Sequence, residues 1–284
     1  MAKFITKETK SGPGISKDAP EKRRFFLFFE LLFAKFGKLI QLNFIYLATL
    51  IPLLFGLYFS LDINTANLGN EPLFVINPDY ISIGVLIASV FVTGPATAGF
   101  VFVLRNLQRR EHAWVWSDFW NQYRKNFLQG SLMAAFDLVC YTLLYVAFNF
   151  YMFVMPMDFP EIGTTMPYLA AGIVGLITII FTWAHFYIYT MMVTFELKLT
   201  KMLKNSFIFA IGKLPLNILI TVIVGSVLVG CLYVLMYSTL AAALILAVFL
   251  VALLGFIIVF STYPTIDKLM LKRVTEEKKR VLKY

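Results

Sequence analysis

The chain is expected to fold as an all-α integral membrane bundle of six transmembrane helices, and three observations lead there. Sixty per cent of its 284 residues are hydrophobic and only 14% are charged, with a mean hydropathy of +0.78, far from the balance of a soluble domain. Six apolar runs, at 39–61, 81–104, 130–155, 168–195, 214–237 and 239–262, are each long enough to cross a bilayer at roughly 20 residues per crossing. The basic residues, finally, are sorted. Nine Lys or Arg precede the first run, five lie between Arg105 and Lys125, four between Lys198 and Lys213, and seven follow from Lys268. The alternate segments, 62–80 and 156–167, carry Asp62, Glu71, Asp79, Asp158 and Glu161 and no basic residue.

Lipid-spanning chains keep Lys and Arg on the cytoplasmic side. The sorting therefore predicts a multi-pass protein of the plasma membrane with both termini cytoplasmic and the two acidic loops outside. Residues 1–24 read as a polar cytoplasmic tail without a cleavable signal. Residues 25–270 read as one integral membrane domain, and 271–284 as a basic cytoplasmic tail. The formal charge of +9 points to anionic lipid headgroups rather than nucleic acid, because the basic residues flank apolar runs instead of forming a recognition element. Cys140 and Cys231 both fall inside apolar runs without a partner at motif spacing, so they read as small buried hydrophobes, with no metal site or disulfide.

One arrangement recurs three times: a basic, aromatic lead-in, a span out, a loop, a span back. The lead-ins carry Lys38-Leu39-Ile40-Gln41-Leu42-Asn43, Lys125-Asn126-Phe127 and Lys204-Asn205-Ser206-Phe207, with Lys213-Leu214-Pro215-Leu216-Asn217 echoing the first. Three parallel helical hairpins would each keep the same orientation, and an even number of spans per unit agrees.

The connection after the second span is the most distinctive stretch. Trp116, Phe119, Trp120 and Tyr123 recur at three- and four-residue spacing, which places their rings on one face of an amphipathic helix, with Ser117 or Asp118 positioned to cap its start. Together with Arg105, His112, Trp114 and Asp118 these residues form a candidate element for anchoring at lipid headgroups or for docking a partner protein. Within the second span, Thr93, Gly94, Pro95 and Thr97 allow two readings. One is a polar path lined by hydroxyls and by carbonyls that proline leaves unbonded; the other is a tight kink in which Gly94, Ala98 and Gly99 admit a neighbouring helix. Asp137 and His185 are ionisable residues at roughly 10 and 15 Å depth by helical rise. An intramembrane acid is costly and marks a site by default. The pair is open to a structural contact, to a proton or substrate role, or to no contact at all, with Trp183 and Tyr187 nearby as alternative hydrogen-bonding groups.

The block Gly94-Pro95-Ala96-Thr97-Ala98-Gly99, Arg105, His112, Trp114, Trp116, Asp118 and Phe119 resembles the YesL-like membrane proteins of Gram-positive bacteria, as do Lys38 and Leu42-Asn43. The resemblance covers most of 25–270 and is sharpest over 90–130. That family has no assigned activity. Its members are commonly encoded beside permease and solute-binding components of carbohydrate ABC importers and beside glycoside hydrolases. The resemblance thus implies an accessory or regulatory partner of importer permease subunits. A permease proper is disfavoured, since Leu197-Lys198 and Met202 stand where an ATPase-docking loop has alanines and glycine.

No phosphate-binding Gly-Lys-Ser loop, His-Glu-x-x-His pair or Gly-x-Ser-x-Gly elbow is present, so a non-enzymatic protein without cofactor or metal is expected. Two further classes stand beside the accessory role: an autonomous secondary transporter of a sugar or other small solute, and a membrane assembly factor without ligand. The sequence does not set the oligomeric state.

Overall fold

A computed structural model describes residues 23–62, 75–76 and 80–271. The expected terminal tails lie outside these residues, apart from Arg23, Arg24 and Leu271, as does most of the first acidic loop. The chain is an all-α bundle with six helices long and apolar enough to cross a membrane: Phe36–Gly56, Ile83–Gln108, Phe127–Asp158, Thr165–Met192, Leu214–Tyr237 and Thr239–Met270. Among the described residues the only strand pairing is a two-residue antiparallel ladder, Leu61–Asp62 with Val75–Ile76, at the acidic-loop end.

Three short helices precede the odd-numbered spans. Helix α1 (Arg24–Ala34) leads into α2 (Phe36–Ser60), which is followed by α3 (Tyr80–Gln108). Helix α4 (Val115–Lys125) leads into α5 (Phe127–Asn149), a π turn and the short α6 (Met155–Asp158), and then α7 (Thr165–Met192). Helix α8 (Leu199–Gly212) leads into α9 (Leu214–Tyr237), then α10 (Thr239–Ile245), a π turn at Leu246–Leu250 and α11 (Val251–Ile266). Each lead-in is separated from its span by one residue, and the three residues share a backbone conformation: Lys35 at φ −111, ψ 12, Asn126 at φ −102, ψ 18, and Lys213 at φ −123, ψ 36. The sparsely allowed region near φ −90, ψ 0 turns a helix without a loop, so an interfacial helix passes directly into a crossing one. The repeated element order is therefore real, but the matched letters were offset. Lys38 lies three residues past its junction, whereas Lys213 is the junction itself.

Span boundaries differ from expectation at the basic ends: the second and sixth spans run on to Gln108 and Met270, past the expected 104 and 262, whereas α7 is shorter. The fourth run was expected to reach 195; the helix stops at Met192 and turns, with Phe195 N–H bonding Met191 O. The reason lies in α3, where Arg105 Nη1 takes the Val193 carbonyl at 2.6 Å.

Helix α3 is the central element, packing against α2, α5, α7, α11 and α4. Its contact with α5 is backbone on backbone. A Cβ on Gly94 would stand 2.0 Å from the Gly130 carbonyl oxygen, and one on Gly130 would stand 2.6 Å from Pro95 N. Without a hydrophobic drive between helices in lipid, such small-residue crossings supply the packing. Helix α3 runs unbroken through Pro95, and a neighbouring helix approaches it closely at Gly94. A further close approach seats α4: a Cβ on Gly99 would come 2.7 Å from the Phe119 carbonyl oxygen.

Backbone groups freed by irregular helix are met by side chains, as lipid requires. The π turn in the sixth span leaves groups without the usual i, i+4 partner. Asn43, 0% exposed, covers them with one amide. Its Nδ2 donates to Leu246 O (3.1 Å) and Ala247 O (2.7 Å), and its Oδ1 accepts from Ala252 N (2.8 Å). In α11, Pro264 has no N–H for the Phe260 carbonyl, and Arg24 Nη2 donates to that oxygen at 2.7 Å, fastening α1 to the last span. Asn217 ties α8, α9 and α7 by donating to Ala210 O at 2.8 Å and accepting from Tyr187 Oη at 2.6 Å. Cys140 and Cys231 are half-buried free thiols rather than core residues.

Candidate functional site

Two regions gather the residues singled out in the sequence. The first is an open, mainly apolar cavity of about 560 Å³ between the spans α2, α3, α5 and α7. Its position follows from the crossing just described. The helices α3 and α5 touch at Gly94 and Gly130 and diverge toward the acidic-loop end, leaving a space walled by Leu50, Leu53, Leu86 and Leu138. Thr93, Gly94 and Thr97 border it from α3, Asp137 and Tyr141 from α5, Tyr46 from α2 and Tyr189 from α7.

The polar groups of the cavity are ordered by the backbone. Thr97 Oγ1 donates to the Thr93 carbonyl at 2.8 Å, which uses its single proton, so the 2.8 Å contact with Tyr46 has the phenol as donor. Tyr46 also stacks on Phe100 with ring centroids 4.3 Å apart. Asp137 and His185 meet: Nε2 and Oδ1 are 2.7 Å apart, and both side chains are less than one-fifth exposed. The imidazole is oriented from its other side, where Nδ1 lies 2.8 Å from the Phe181 carbonyl. A carbonyl only accepts, so Nδ1 carries a hydrogen. The Nε2–Oδ1 contact then holds one proton, either on nitrogen facing a carboxylate or on oxygen facing a neutral ring. The pair has zero net charge in both forms. Phe181 and Tyr141 pack on the ring at 4.7 and 5.8 Å between centroids. Trp183 and Tyr187 bond elsewhere, to Thr221 Oγ1 and Asn217 Oδ1.

The residues expected along a polar path are brought together in part. Thr93, Gly94, Thr97 and Asp137 line one space, His185 stands behind Asp137, and Pro95 is buried in the helix crossing away from it. The sequence reading missed Tyr46, Tyr141, Tyr145 and Tyr189. Their signal was a polar tip recurring within apolar runs, which in a lone sequence does not separate a cavity wall from an interfacial ring.

The second region is the connection at the basic end, whose residues divide. Arg105 is 8% exposed. It is held by Val193 O, by Thr194 Oγ1 at 3.2 Å and by Asn106 Oδ1 at 3.1 Å, and it lies 4.6 Å over the Phe102 ring. Phe119 is 0% exposed. Neither side chain offers a contact surface, which corrects their assignment to docking. Trp114 and Trp116 are 71% and 61% exposed, and His112 packs on Trp114 at 4.8 Å. Trp120 sits inside an aromatic cluster with Trp116, Phe119 and Tyr123. The helix begins at Val115 with Trp114 as its N-cap, and Asp118 Oδ2 accepts the Trp114 N–H at 2.9 Å. Asp118 therefore closes the first turn from within by accepting the N-cap's own N–H, and neither it nor Ser117 is the N-cap. Lys38 Nζ donates to Ala113 O at 2.9 Å beside a groove of about 710 Å³ bordered by Gln41, His112, Trp114 and Trp116. Among the described residues no cluster of His, Cys, Asp and Glu has the arrangement of a metal site.

No curated protein and no solved structure matches the chain. Residues 25–148, which run from α1 through α5 and include both regions' α3 and α4 residues, match the model of a family described as a protein of unknown function, DUF624.

Proposed function

We propose that this protein is a carrier that takes a small solute into the cavity between α2, α3, α5 and α7, with its basic end in the cytoplasm of a bacterial cell. The observation that carries the reading is the cavity itself. It is of ligand size, lies at the depth of the spans, and is bordered by hydroxyls and by a carboxylate whose charge is balanced within the site. The positive-inside distribution of Lys and Arg supports the orientation.

The test is solute counterflow in proteoliposomes, using a panel of small polyols, monosaccharides and organic cations. At least one labelled solute is expected to accumulate against its unlabelled form, and Thr97→Trp, which fills the space, is expected to abolish accumulation without loss of folded protein. Absence of counterflow across the panel removes the carrier reading.

A second reading is favoured by Trp114 and Trp116, whose exposure beside Lys38 and His112 suits a partner protein or headgroups. In that reading the chain is a YesL-like accessory to the permease subunits of a carbohydrate importer. Affinity purification from native membranes decides it. A permease recovered at fixed ratio, and lost on Trp114→Ala with Trp116→Ala, supports it, whereas recovery of the protein alone rejects it.

A further inference from the structure

The proton arithmetic of the Asp137–His185 pair, joined to the make-up of the cavity wall, specifies a ligand class. This step rests on the reading of the cavity as a solute site. Asp137 is the one carboxylate bordering the cavity among the described residues, and no Lys or Arg borders it. The titratable groups facing the pair or the cavity are Cys140, Tyr141 and Tyr145 on α5, Tyr189 on α7 and, across the cavity, Tyr46 on α2; α3 contributes only the neutral hydroxyls of Ser89, Thr93 and Thr97. The charge balance of the site is therefore set by the single proton between Nε2 and Oδ1.

Removing that proton while Nδ1 stays bonded to the Phe181 carbonyl leaves the Nε2 lone pair against a carboxylate at 2.7 Å. The contact becomes repulsive, and a net negative charge stands among spans where ions are costly. A neutral polyol does not cancel that charge. A monovalent cation does, and the rings of Tyr46, Tyr141, Tyr145 and Tyr189 around the cavity are the side chains that attract one.

We propose that the cavity binds a monovalent organic cation in exchange for the proton of the Asp137–His185 pair. In this exchange the Nε2–Oδ1 hydrogen bond breaks and its proton passes to water. Neutral His185 keeps its Nδ1 hydrogen on the Phe181 carbonyl, and Asp137 pairs with the cation. The site is neutral before and after, one proton leaving for each cation bound.

The experiment uses purified full-length protein in non-ionic detergent and weak buffer with a pH-indicator dye, titrated with tetraphenylphosphonium and, separately, with sorbitol. Saturable tetraphenylphosphonium binding is expected, with release of about one proton per chain and an apparent Kd that rises about tenfold per unit of acidification while the pair is protonated. Asp137→Asn is expected to abolish release and Asp137→Glu to retain it, which guards against a variant that merely misfolds. Tetraphenylphosphonium binding without proton release, release that survives Asp137→Asn, or no binding of the cation by wild-type protein each overturns the proposal. Sorbitol binding without proton release likewise overturns it while leaving a solute cavity in place. Proton release in a protein that shows no counterflow supports the exchange and rejects only the carrier reading.

Discussion

Asn43 and the Asp137–His185 pair are both polar groups within apolar spans, yet they differ in what surrounds them. The Asn43 amide makes three hydrogen bonds, all to backbone groups released by the π turn of the sixth span, and it has no exposed surface. Its hydrogen-bonding capacity is matched to a defect in one helix. The pair, by contrast, is joined by one side-chain contact, anchored by one carbonyl, and borders a cavity. In lipid a polar group that completes the backbone serves the fold, while one that faces unfilled space is available to a ligand. Arg24 on the Phe260 carbonyl and Asn217 on the end of α8 belong with Asn43.

Breaking the first member of the comparison has the largest expected effect. Asn43→Leu strips two carbonyls and one N–H of their partner, at about 1–3 kcal/mol for each buried group left unsatisfied, so about 4 kcal/mol of stability is expected to go. Thermal or denaturant unfolding in detergent measures it; a loss below 1 kcal/mol would show that the π turn relaxes to an ordinary helix and needs no amide. Gly130→Ala comes next. Its Cβ must displace the Pro95 backbone from 2.6 Å, which is expected to cost about 3 kcal/mol as overpacking and to alter the cavity mouth.

Asp137→Asn sharpens the contrast from the other side. The new amide donates to Nε2 and preserves a hydrogen bond, so stability is expected to change by less than about 1 kcal/mol while counterflow is lost. A loss of stability as large as that of Asn43→Leu would place the pair with the structural group. Trp116→Ala, at an exposed ring, is expected to change stability by about 0.5 kcal/mol or less. Its readout is flotation with anionic vesicles of a peptide comprising residues 109–126, where an unchanged bound fraction would deny this ring an anchoring role.

What was legible in the sequence was whatever depends on the lipid solvent. The six spans, the lead-in helices and the end that carries positive charge follow from the cost of burying charge and of leaving backbone unpaired, and these act on each segment separately. The ambiguity at Thr93–Thr97 had a different origin. Gly94 packs on Gly130 while Thr93 and Thr97 border a pocket, so the two readings of that segment concern different sides of the same helix. Arg105 and Phe119 were misassigned because a basic and an aromatic residue near a boundary look alike whether they face lipid or the Val193 carbonyl.

By itself, then, the sequence determined an all-helical, six-span chain with three lead-ins, since hydropathy and charge are local properties that the membrane reads directly. Only the tertiary structure decided that Asp137 meets His185, that Asn43 serves a helix 203 residues away, and that four tyrosines and three threonines share one space. Those facts depend on which faces of which helices cross, and the crossing is set by glycines whose significance lies in the neighbour they admit.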